Sequence, residues 1–266
     1  MEGCIPDSLS LGGRVALITG SSKGLGFAMA KAMAEHGAHV VINSRSQEGV
    51  DYKVAELKGA GLGASGIPFD VADTEAGLAG VGRVIEEQGR LDILVNNAGA
   101  SVHTPSLDYT IELFRHHLDT HITGAFALSQ AALRHMVERG NGRIINITSI
   151  FGSRFAVAGV PAYSAAKAGL EGLTRALAAE FGPRGILVNA IQPGYFHTNI
   201  GGLMEEGKPL SDNVKEFYEY SNLHNPLGRW AKPGEIGALA VYLASDASSY
   251  VNGSVITIDG GITALQ

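Results

Sequence analysis

Short apolar runs alternate with longer stretches of helical periodicity along the whole chain. The apolar runs are rich in Ile and Val and nearly continuous, for example ILVNN, RIINIT and ILVNAI. Such runs are typical of parallel strands whose two faces are both covered by helices. We therefore expect residues 1–266 to form a single doubly wound α/β domain. The pattern predicts strands at 15–19, 38–43, 65–69, 91–96, 142–148, 186–191 and 254–258, and helices at 22–36, 47–59, 74–88, 109–139, 162–181 and 233–244.

One long segment, residues 195–229, lacks this pattern. It contains Gly201, Gly202, Gly207 and Pro209, and an amphipathic piece follows at 211–220. A segment of this length with a short helix of its own predicts a mobile lid over a binding site. A helix that packs as an ordinary part of the core is the alternative.

Composition and charge argue against several classes of partner. The net charge is -6 and no Lys/Arg cluster offers a footprint for phosphates, so we expect no nucleic-acid partner. No apolar run approaches the ~18 residues that a membrane-spanning helix needs. The N-terminal residues lack the basic and apolar regions of a signal peptide, so we expect a cytoplasmic protein. Cys4 is the single cysteine and can form no internal disulfide.

A glycine-rich loop follows the first predicted strand. The residues at 19–26 read T-G-S-S-K-G-L-G, and a predicted helix comes next. Gly20, Gly24 and Gly26 let the chain turn tightly and let backbone amides approach a pyrophosphate at the N-terminus of that helix. The loop therefore predicts nucleotide binding, with a serine-rich turn of purely structural purpose as the alternative.

The end of the second predicted strand bears on the choice of nucleotide. NAD-binding folds usually place a carboxylate there to hold the ribose 2′-hydroxyl, whereas this chain has Ser44 and Arg45. Arg45 is suited to a bidentate pair with a 2′-phosphate, and Lys23 in the glycine-rich loop adds a second positive charge. We predict that NADP(H) is preferred over NAD(H), unless Arg45 and Lys23 are ordinary solvated surface cations.

A tyrosine and a lysine occupy one face of the helix predicted at 162–181. Tyr163 and Lys167 are four residues apart, and Ser149 stands fourteen residues before Tyr163 at the end of a predicted strand. A tyrosine with its ordinary pKa of ~10 is a poor base at neutral pH, and a neighbouring ammonium stabilises the phenolate. Ligands of open α/β sheets bind at the carboxyl ends of strands, which places the Ser149 hydroxyl near a substrate oxygen.

With these residues the sequence resembles the short-chain dehydrogenase/reductase family from about Leu9 to Gly261. The resemblance rests on the loop at 19–26, N-N-A-G at 96–99, the serine, tyrosine and lysine above, and P-G at 193–194. It implies a single-domain Rossmann fold, a doubly wound seven-stranded parallel sheet in the order 3-2-1-4-5-6-7 with helices on both faces. It also implies an oxidoreductase that transfers a hydride between a nicotinamide and a carbonyl or secondary alcohol carbon.

The resemblance further implies roles for individual residues. Tyr163 would be the general acid/base, Lys167 would orient the nicotinamide ribose and lower the pKa of the tyrosine, and Ser149 would position the substrate oxygen. Asp70 and Val71 match the pair that contacts adenine. The implied cofactor-binding residues are Gly20, Ser22, Lys23, Gly24, Leu25, Gly26, Ser44, Arg45, Asp70, Val71, Asn97, Ala98, Gly99, Tyr163, Lys167, Pro193, Gly194 and Thr198.

One position departs from the family pattern. Where the family usually has an asparagine that holds a water beside the lysine, this chain reads T-H-I-T-G with His121. Two interpretations stay open, a histidine that relays protons through water and a buried histidine with no such role. His116 and His117 are expected on the surface. No carboxylate cluster accompanies these histidines, so we expect no metal site.

The substrate is less well specified. The length of the 195–229 segment and the motifs N-P-L-G-R-W and V-N-G-S-V-I-T-I-D-G-G resemble the gluconate 5-dehydrogenase branch, which acts on sugar acids. The 3-oxoacyl-carrier-protein reductases resemble the chain nearly as well. Residues 101–104 lack the arginine expected for a sugar acid, and His103 is the substitute available there. A small alcohol or ketone is the expected substrate, most of all a polyol or sugar acid.

Two further expectations concern assembly and an alternative function. The family resemblance implies a homotetramer or homodimer, for which small residues of the 162–181 helix would suit close packing. A sensor of NADP(H) that has lost turnover is the non-enzyme alternative, and the histidine at position 121 is its support. Enoyl reduction is disfavoured, because that branch spaces its tyrosine and lysine further apart.

Overall fold

A single parallel sheet organises the chain in the computed structural model, which describes residues 7–200 and 212–265. The sheet has seven strands in the order β3-β2-β1-β4-β5-β6-β7, and the order predicted from the family resemblance is confirmed. The strands are β1 Val15–Ile18, β2 His39–Ser44, β3 Ala64–Pro68, β4 Ile93–Asn96, β5 Gly142–Ile147, β6 Ile186–Pro193 and β7 Val255–Ile258.

Helices cover both faces of the sheet, as the continuous apolar strands predict. On one face Met29, Met33 and Val241 join the core, and on the other face Val81 and Leu128 do so. Because both side-chain directions of a strand meet apolar helices, all four residues of β1 and of β4 are buried. The helices are α1 Gly24–Glu35, α2 Gln47–Gly59, α3 Thr74–Gln88, α4 Ile111–Leu118, α5 Gly124–Arg139, α6 Ile150–Ser153, α7 Pro161–Phe181, α8 Asp212–Leu223 and α9 Gly237–Ala244.

The strand predictions agree with the structure within two residues at each end, but one helix prediction is wrong in detail. The helix predicted at 109–139 is two α-helices, α4 and α5, joined by a π-helical turn at Asp119–Thr123. Directly after this turn, Gly124 lies so close to the Val71 carbonyl that a side chain at residue 124 would overlap it. The wider turn carries His121, which is only 2% exposed.

The sheet topology gathers the candidate site residues at one edge. The strand order reverses between β1 and β4, and the loops that follow these strands diverge there. A crevice at such a reversal is where open α/β sheets bind ligands. The loops after β1, β2, β4, β5 and β6 all leave the sheet at this edge. None of the helices in residues 7–200 and 212–265 is long and apolar enough to cross a membrane.

Candidate active site

The glycine-rich loop between β1 and α1 has the backbone that its glycines predict. Gly20 and Gly24 have φ angles of 61° and 58°, a left-handed region that L side chains rarely adopt. Lys23 precedes α1 as its N-cap and is exposed. Gly26 is buried, and Leu25 packs against the core from a half-buried position. The N-terminus of α1, where backbone amides can bind an anion, therefore directly follows this tight turn.

Hydrogen bonds fix this loop to the loop after β4. The Thr19 hydroxyl oxygen accepts from the backbone N–H of Asn97 at 2.9 Å and of Ala98 at 3.0 Å. The Asn97 side-chain amide donates to the carbonyls of Thr19, at 2.8 Å, and of Gly20, at 3.2 Å. Thr19 belongs to the quoted motif but was not predicted to act, and only the structure shows that it joins the two loops.

The end of β2 lies beside the glycine-rich loop. Ser44 ends the strand, and the exposed guanidinium of Arg45 lies 4.0 Å from the Asp70 carboxylate. A methyl group built on Gly49 would lie 3.6 Å from Ser22 Cβ and 3.7 Å from Ser44 Oγ. Two predicted serines thus lie near the first turn of α2. Val71, next to Asp70, is buried against the helix layer.

Ser149, Tyr163 and Lys167 converge where β5 ends. Ser149 is the N-cap of α6, and its hydroxyl oxygen accepts from the Phe151 N–H at 3.2 Å. Tyr163 and Lys167 lie one turn apart on α7 and are 6% and 4% exposed. Lys167 Nζ donates to the Ile147 carbonyl at 2.7 Å and lies 5.6 Å from the centre of the Tyr163 ring. The three predicted residues are therefore brought together.

Burial changes the acid–base behaviour of these groups. It lowers the pKa of Lys167 to about 7, because a buried ammonium loses its hydration. Burial also raises the pKa of Tyr163, and the hydrogen bond with Ser149 opposes this. Burial of the phenol is the larger of these two influences on the Tyr163 pKa. That Lys167 lowers this pKa when the cofactor is bound stays a prediction.

His121 lies beside Tyr163 and Lys167. Its ring meets the Tyr163 ring edge-on with centroids 5.4 Å apart, and Nε2 donates to the Ala100 carbonyl at 2.9 Å. Burial, and next the positive charge of Lys167, keep the pKa of His121 well below its ordinary value, so the ring is neutral at pH 7. A side chain on Gly99 would overlap this ring, which explains why the last position of N-N-A-G has none.

One histidine was predicted wrongly. His116 is exposed as expected, but His117 is 3% exposed and its ring stacks on that of His121 at a centroid distance of 6.0 Å. Tyr109 and α7 cover it, which the polar R-H-H run at 115–117 does not indicate. Within the part of the chain that the structure describes, no group of three His, Cys, Asp or Glu residues is placed to hold a metal ion.

The loop after β6 closes the other side of the crevice. Pro193 ends the strand, and Gly194 packs so closely on Asp259 that a methyl group would lie 2.6 Å from its Cβ. Thr198 lies over the start of α1, with its Cγ2 3.7 Å from a methyl group built on Gly24. Both predicted ends of the cofactor site, the phosphate loop and the segment at 193–198, therefore lie next to each other.

A group of aromatic side chains, here called the aromatic wall, connects α6, which follows Ser149, to α8; its members are Phe151, Tyr195, Phe217 and Trp230. The Tyr195 ring contacts Phe151 at 5.8 Å, Phe217 at 5.6 Å and Trp230 at 5.3 Å between centroids. Trp230 is buried and its indole N–H donates to the Ser221 hydroxyl at 2.6 Å. Tyr195, Phe217 and Ser221 belong to the predicted lid at 195–229, whereas Phe151 and Trp230 lie outside it. Residues 201–211 of the lid lie outside the described residues. The wall itself was missed from the sequence, where its members are scattered over 80 positions from 151 to 230.

The fold and these residues define a nicotinamide-dependent oxidoreductase of the Rossmann class. A family model described as Enoyl-(Acyl carrier protein) reductase matches residues 20–263. The chain belongs to the short-chain dehydrogenase/reductase family, as its motifs predicted.

Individual relatives match over nearly the full length. The chain is 38% identical over 258 residues to the gluconate 5-dehydrogenase of Gluconobacter oxydans, covering 97% of this chain and 98% of that protein. It is 38% identical over 253 residues to the D-threitol dehydrogenase of Mycolicibacterium smegmatis, covering 95% and 94%. The crystal structure of a gluconate 5-dehydrogenase from Burkholderia cenocepacia, in complex with NADP and tartrate, matches with a TM-score of 0.89 at 34% identity, covering 97% and 98%. The predicted class, a dehydrogenase acting on CH–OH groups, is confirmed.

Proposed function

We propose that this protein transfers a hydride between NADP(H) and the carbonyl or secondary alcohol carbon of a polyol or sugar acid. The observation that carries this proposal is the convergence of Ser149, Tyr163 and Lys167 beside the β1–α1 loop. The cofactor, when bound, supplies or accepts the hydride. The protein's own residues hold the substrate oxygen and move its proton.

The three side chains divide this work. The Ser149 hydroxyl holds the substrate oxygen next to the Tyr163 hydroxyl, with which it already shares a hydrogen bond. Tyr163 gives a proton to the oxygen when a ketone is reduced and takes it when an alcohol is oxidised. Lys167 orients the nicotinamide ribose, and a pKa of about 7 lets it give up or take a proton near neutral pH. The nearby His121 is proposed to assist as a proton relay at the usual asparagine position.

Binding of the cofactor is supported by two features of this chain. The first is the glycine-rich loop, whose amides can hold the pyrophosphate, with Asp70 and Val71 on the adenine side and residues 97–99 and 193–198 on the nicotinamide side. The second is the corner of Ser22, Ser44 and Arg45, where an exposed guanidinium and hydroxyls stand at the first turn of a helix. Cations and helix N-termini favour a phosphate, so we propose that the 2′-phosphate binds here and that NADP(H) is preferred.

A polyol or sugar acid is supported by the gluconate and threitol dehydrogenases among the relatives. His103, whose ring packs against Gly159 at the mouth of the crevice, is the proposed substitute for the missing arginine. A 3-oxoacyl-carrier-protein reductase or another ketone reductase is the alternative substrate assignment. An NADP(H) sensor with weakened catalysis is the non-enzyme alternative, and the neutral His121 is the observation that favours it.

We further propose a single domain with a lid at about 195–229, and a homotetramer or homodimer. The anchoring of α8 on Trp230 supports a lid whose C-terminal end is fixed to the body of the protein. Exposed small residues on α7, Ala165 and Gly169, support close packing between subunits.

Turnover with each cofactor tests the proposal, using sugar acids, polyols, cyclic ketones and 3-oxoacyl thioesters as substrates. We expect turnover with NADP(H) and a polyol or sugar acid. Tyr163→Phe should lower kcat at least ~100-fold, because the proton donor is lost, while cofactor binding and folding are kept. Tyr250→Phe, a change at a fully exposed tyrosine, is the matched control. No turnover with any substrate, despite tight NADP(H) binding, would establish the sensor instead.

A further inference from the structure

Two buried histidines lie side by side on α4 and the π-helical turn that follows it, next to α7. His117 and His121 are 3% and 2% exposed, and their rings are nearly parallel, 23° apart, with centroids separated by 6.0 Å. Each ring uses one nitrogen on a backbone carbonyl, His117 Nδ1 on Leu113 at 2.9 Å and His121 Nε2 on Ala100 at 2.9 Å. A nitrogen that faces a carbonyl carries the proton, so the other nitrogen of each ring is an acceptor.

Both acceptor nitrogens lack a partner. His121 Nδ1 and His117 Nε2 are buried and have no hydrogen bond within residues 7–200 and 212–265. A buried polar atom without a partner costs free energy, which an ordinary packing role does not explain. Two such atoms on stacked rings next to a buried lysine point to a function.

A small cavity connects His121 to the lysine. It has a volume of about 10 Å³ and is lined by His121, Lys167, Thr19 and Asn96, among others. This is room for one water molecule, and Asn96 Oδ1 is a further buried atom without a partner among the described residues. A water held by these groups would join the Lys167 ammonium to the His121 ring.

His117 extends the series of groups formed by Lys167, the cavity and His121 toward the protein surface. Its Nδ1 lies 3.3 Å from the Tyr109 hydroxyl, and its ring is 6.4 Å from that of the exposed His116. The His117 ring therefore has an acceptor nitrogen, Nε2, and a protonated nitrogen, Nδ1, which lies beside a hydroxyl near the surface. The centroids of the two histidine rings are 6.0 Å apart. The two hydrogen bonds of a bridging water span about 5.5 Å, so one water is the simplest link between His121 Nδ1 and His117 Nε2.

From these contacts we propose that His117 passes protons between the His121–Lys167 pair and solvent at Tyr109. The inference rests on the proposed dehydrogenase function. During alcohol oxidation the Lys167 ammonium gives a proton to His121 Nδ1 through water. His121 passes that proton on to His117 Nε2, and His117 releases its Nδ1 proton toward Tyr109 and solvent. Only N–H and O–H bonds change: Lys167 loses one proton, the alcohol proton taken up by Tyr163 replaces it, and one proton reaches water. Proton exchange with solvent then restores the starting tautomer of His117, in which Nδ1 carries the proton. His117 touches neither substrate nor cofactor and acts through its neighbours.

The charges around the pair are consistent with transient protonation. The groups acting on His121 are Lys167, His116 and His117, all of them bases. Glu112, Arg115 and Asp119 on the same stretch of helix are exposed. Since no carboxylate is among the groups that act on the His121 ring within the described residues, an imidazolium formed there readily passes its proton on.

The test removes the imidazole of His117 by substitution and then adds free imidazole to the solution as a substitute proton carrier. kcat for alcohol oxidation is measured for the full chain and for His117→Phe in dilute buffer, with and without added imidazole, in water and in deuterium oxide. We expect kcat to fall about tenfold in dilute buffer, with unchanged KM values and a larger solvent isotope effect, and to recover with imidazole. His135→Phe is the matched control, since His135 also has a buried Nε2 without a partner among the described residues but lies away from the stacked rings.

Two outcomes overturn the proposal. One is wild-type kcat of His117→Phe in dilute buffer, and the other is a loss of kcat that imidazole does not restore. If His117→Phe does not fold, His117→Asn, which can keep a hydrogen bond to Leu113 but loses Nε2, is measured in its place. Wild-type turnover of Tyr163→Phe would contradict the proposed function itself. Loss of turnover in that variant together with a normal His117→Phe would contradict the relay alone.

Discussion

The outer and inner ends of the crevice each carry a basic side chain, but in opposite surroundings. At the outer end Arg45 is largely exposed, its side chain 78% accessible, and lies 4.0 Å from Asp70. At the inner end Lys167 is 4% exposed, and its ammonium meets one carbonyl and an aromatic ring. Exclusion of water brings the pKa of the inner cation, Lys167, to about 7. A fixed charge suits recognition of a phosphate, and a charge near its titration point suits proton transfer.

Reversing the charge at Arg45 should have the largest effect on the contrast between the two ends, and it should be seen in the relative affinity for NADP and NAD. Arg45→Asp would replace an attraction for the 2′-phosphate by repulsion, and we expect a shift of about 30-fold from NADP toward NAD in relative affinity, about 2 kcal/mol. Titration of both cofactors by fluorescence measures it. Arg83→Asp on α3, at an exposed cation remote from the crevice, is the control. Unchanged relative affinities in the Arg45 variant would contradict the cofactor assignment.

The inner charge should be visible in the pH dependence of stability. Because folding lowers the pKa of Lys167 to about 7, the unfolded chain binds a proton that the folded chain does not between about pH 7 and pH 10. The destabilisation caused by burying the Lys167 ammonium is fully present below about pH 7. As the pH rises above 7 the free energy of unfolding therefore increases. Removing the charge with Lys167→Met should remove up to about 1.4 kcal/mol of this increase per pH unit.

Urea unfolding of both proteins at several pH values between about 7 and 9 gives this slope. Other groups that titrate in the range are shared, so the difference between the two slopes reports Lys167. Equal slopes of the free energy of unfolding against pH would show that Lys167 keeps its ordinary pKa. The inner end of the crevice would then be more hydrated than the structure indicates.

The smallest effect is expected in the loop that joins the two ends. Gly24 has a φ of 58°, and alanine there costs about 1 kcal/mol of backbone strain although the space around it is open. We expect a slightly lower Tm and several-fold weaker NADP(H) binding. Gly172→Ala is the control, because Gly172 lies exposed on α7 with open space around it and a helical alanine is favourable. Equal cofactor affinities in the two variants would mean that the left-handed turn is not needed.

Much of the site could be predicted because its signals are local. Gly20 and Gly24 of the phosphate loop adopt a left-handed backbone, and Tyr163 and Lys167 are neighbours on one helix turn. The strands were recognisable since residues buried on both faces leave continuous apolar runs. The turn at Asp119–Thr123 was missed, because its wider backbone accompanies the close approach of Gly124 to Val71, more than fifty positions away in the sequence.

By itself, the sequence predicted the order of strands and helices along the chain, the glycine-rich turn after β1, and the serine, tyrosine and lysine of the candidate site. The tertiary structure alone decided how much water each group retains. That exposure makes Arg45 a surface charge, holds Lys167 near its titration point and encloses His117 and His121 together. The physical reason is that periodicity and turn chemistry act between neighbours in the chain. Desolvation instead sums over every element packed around a side chain, and those elements come from distant parts of the sequence.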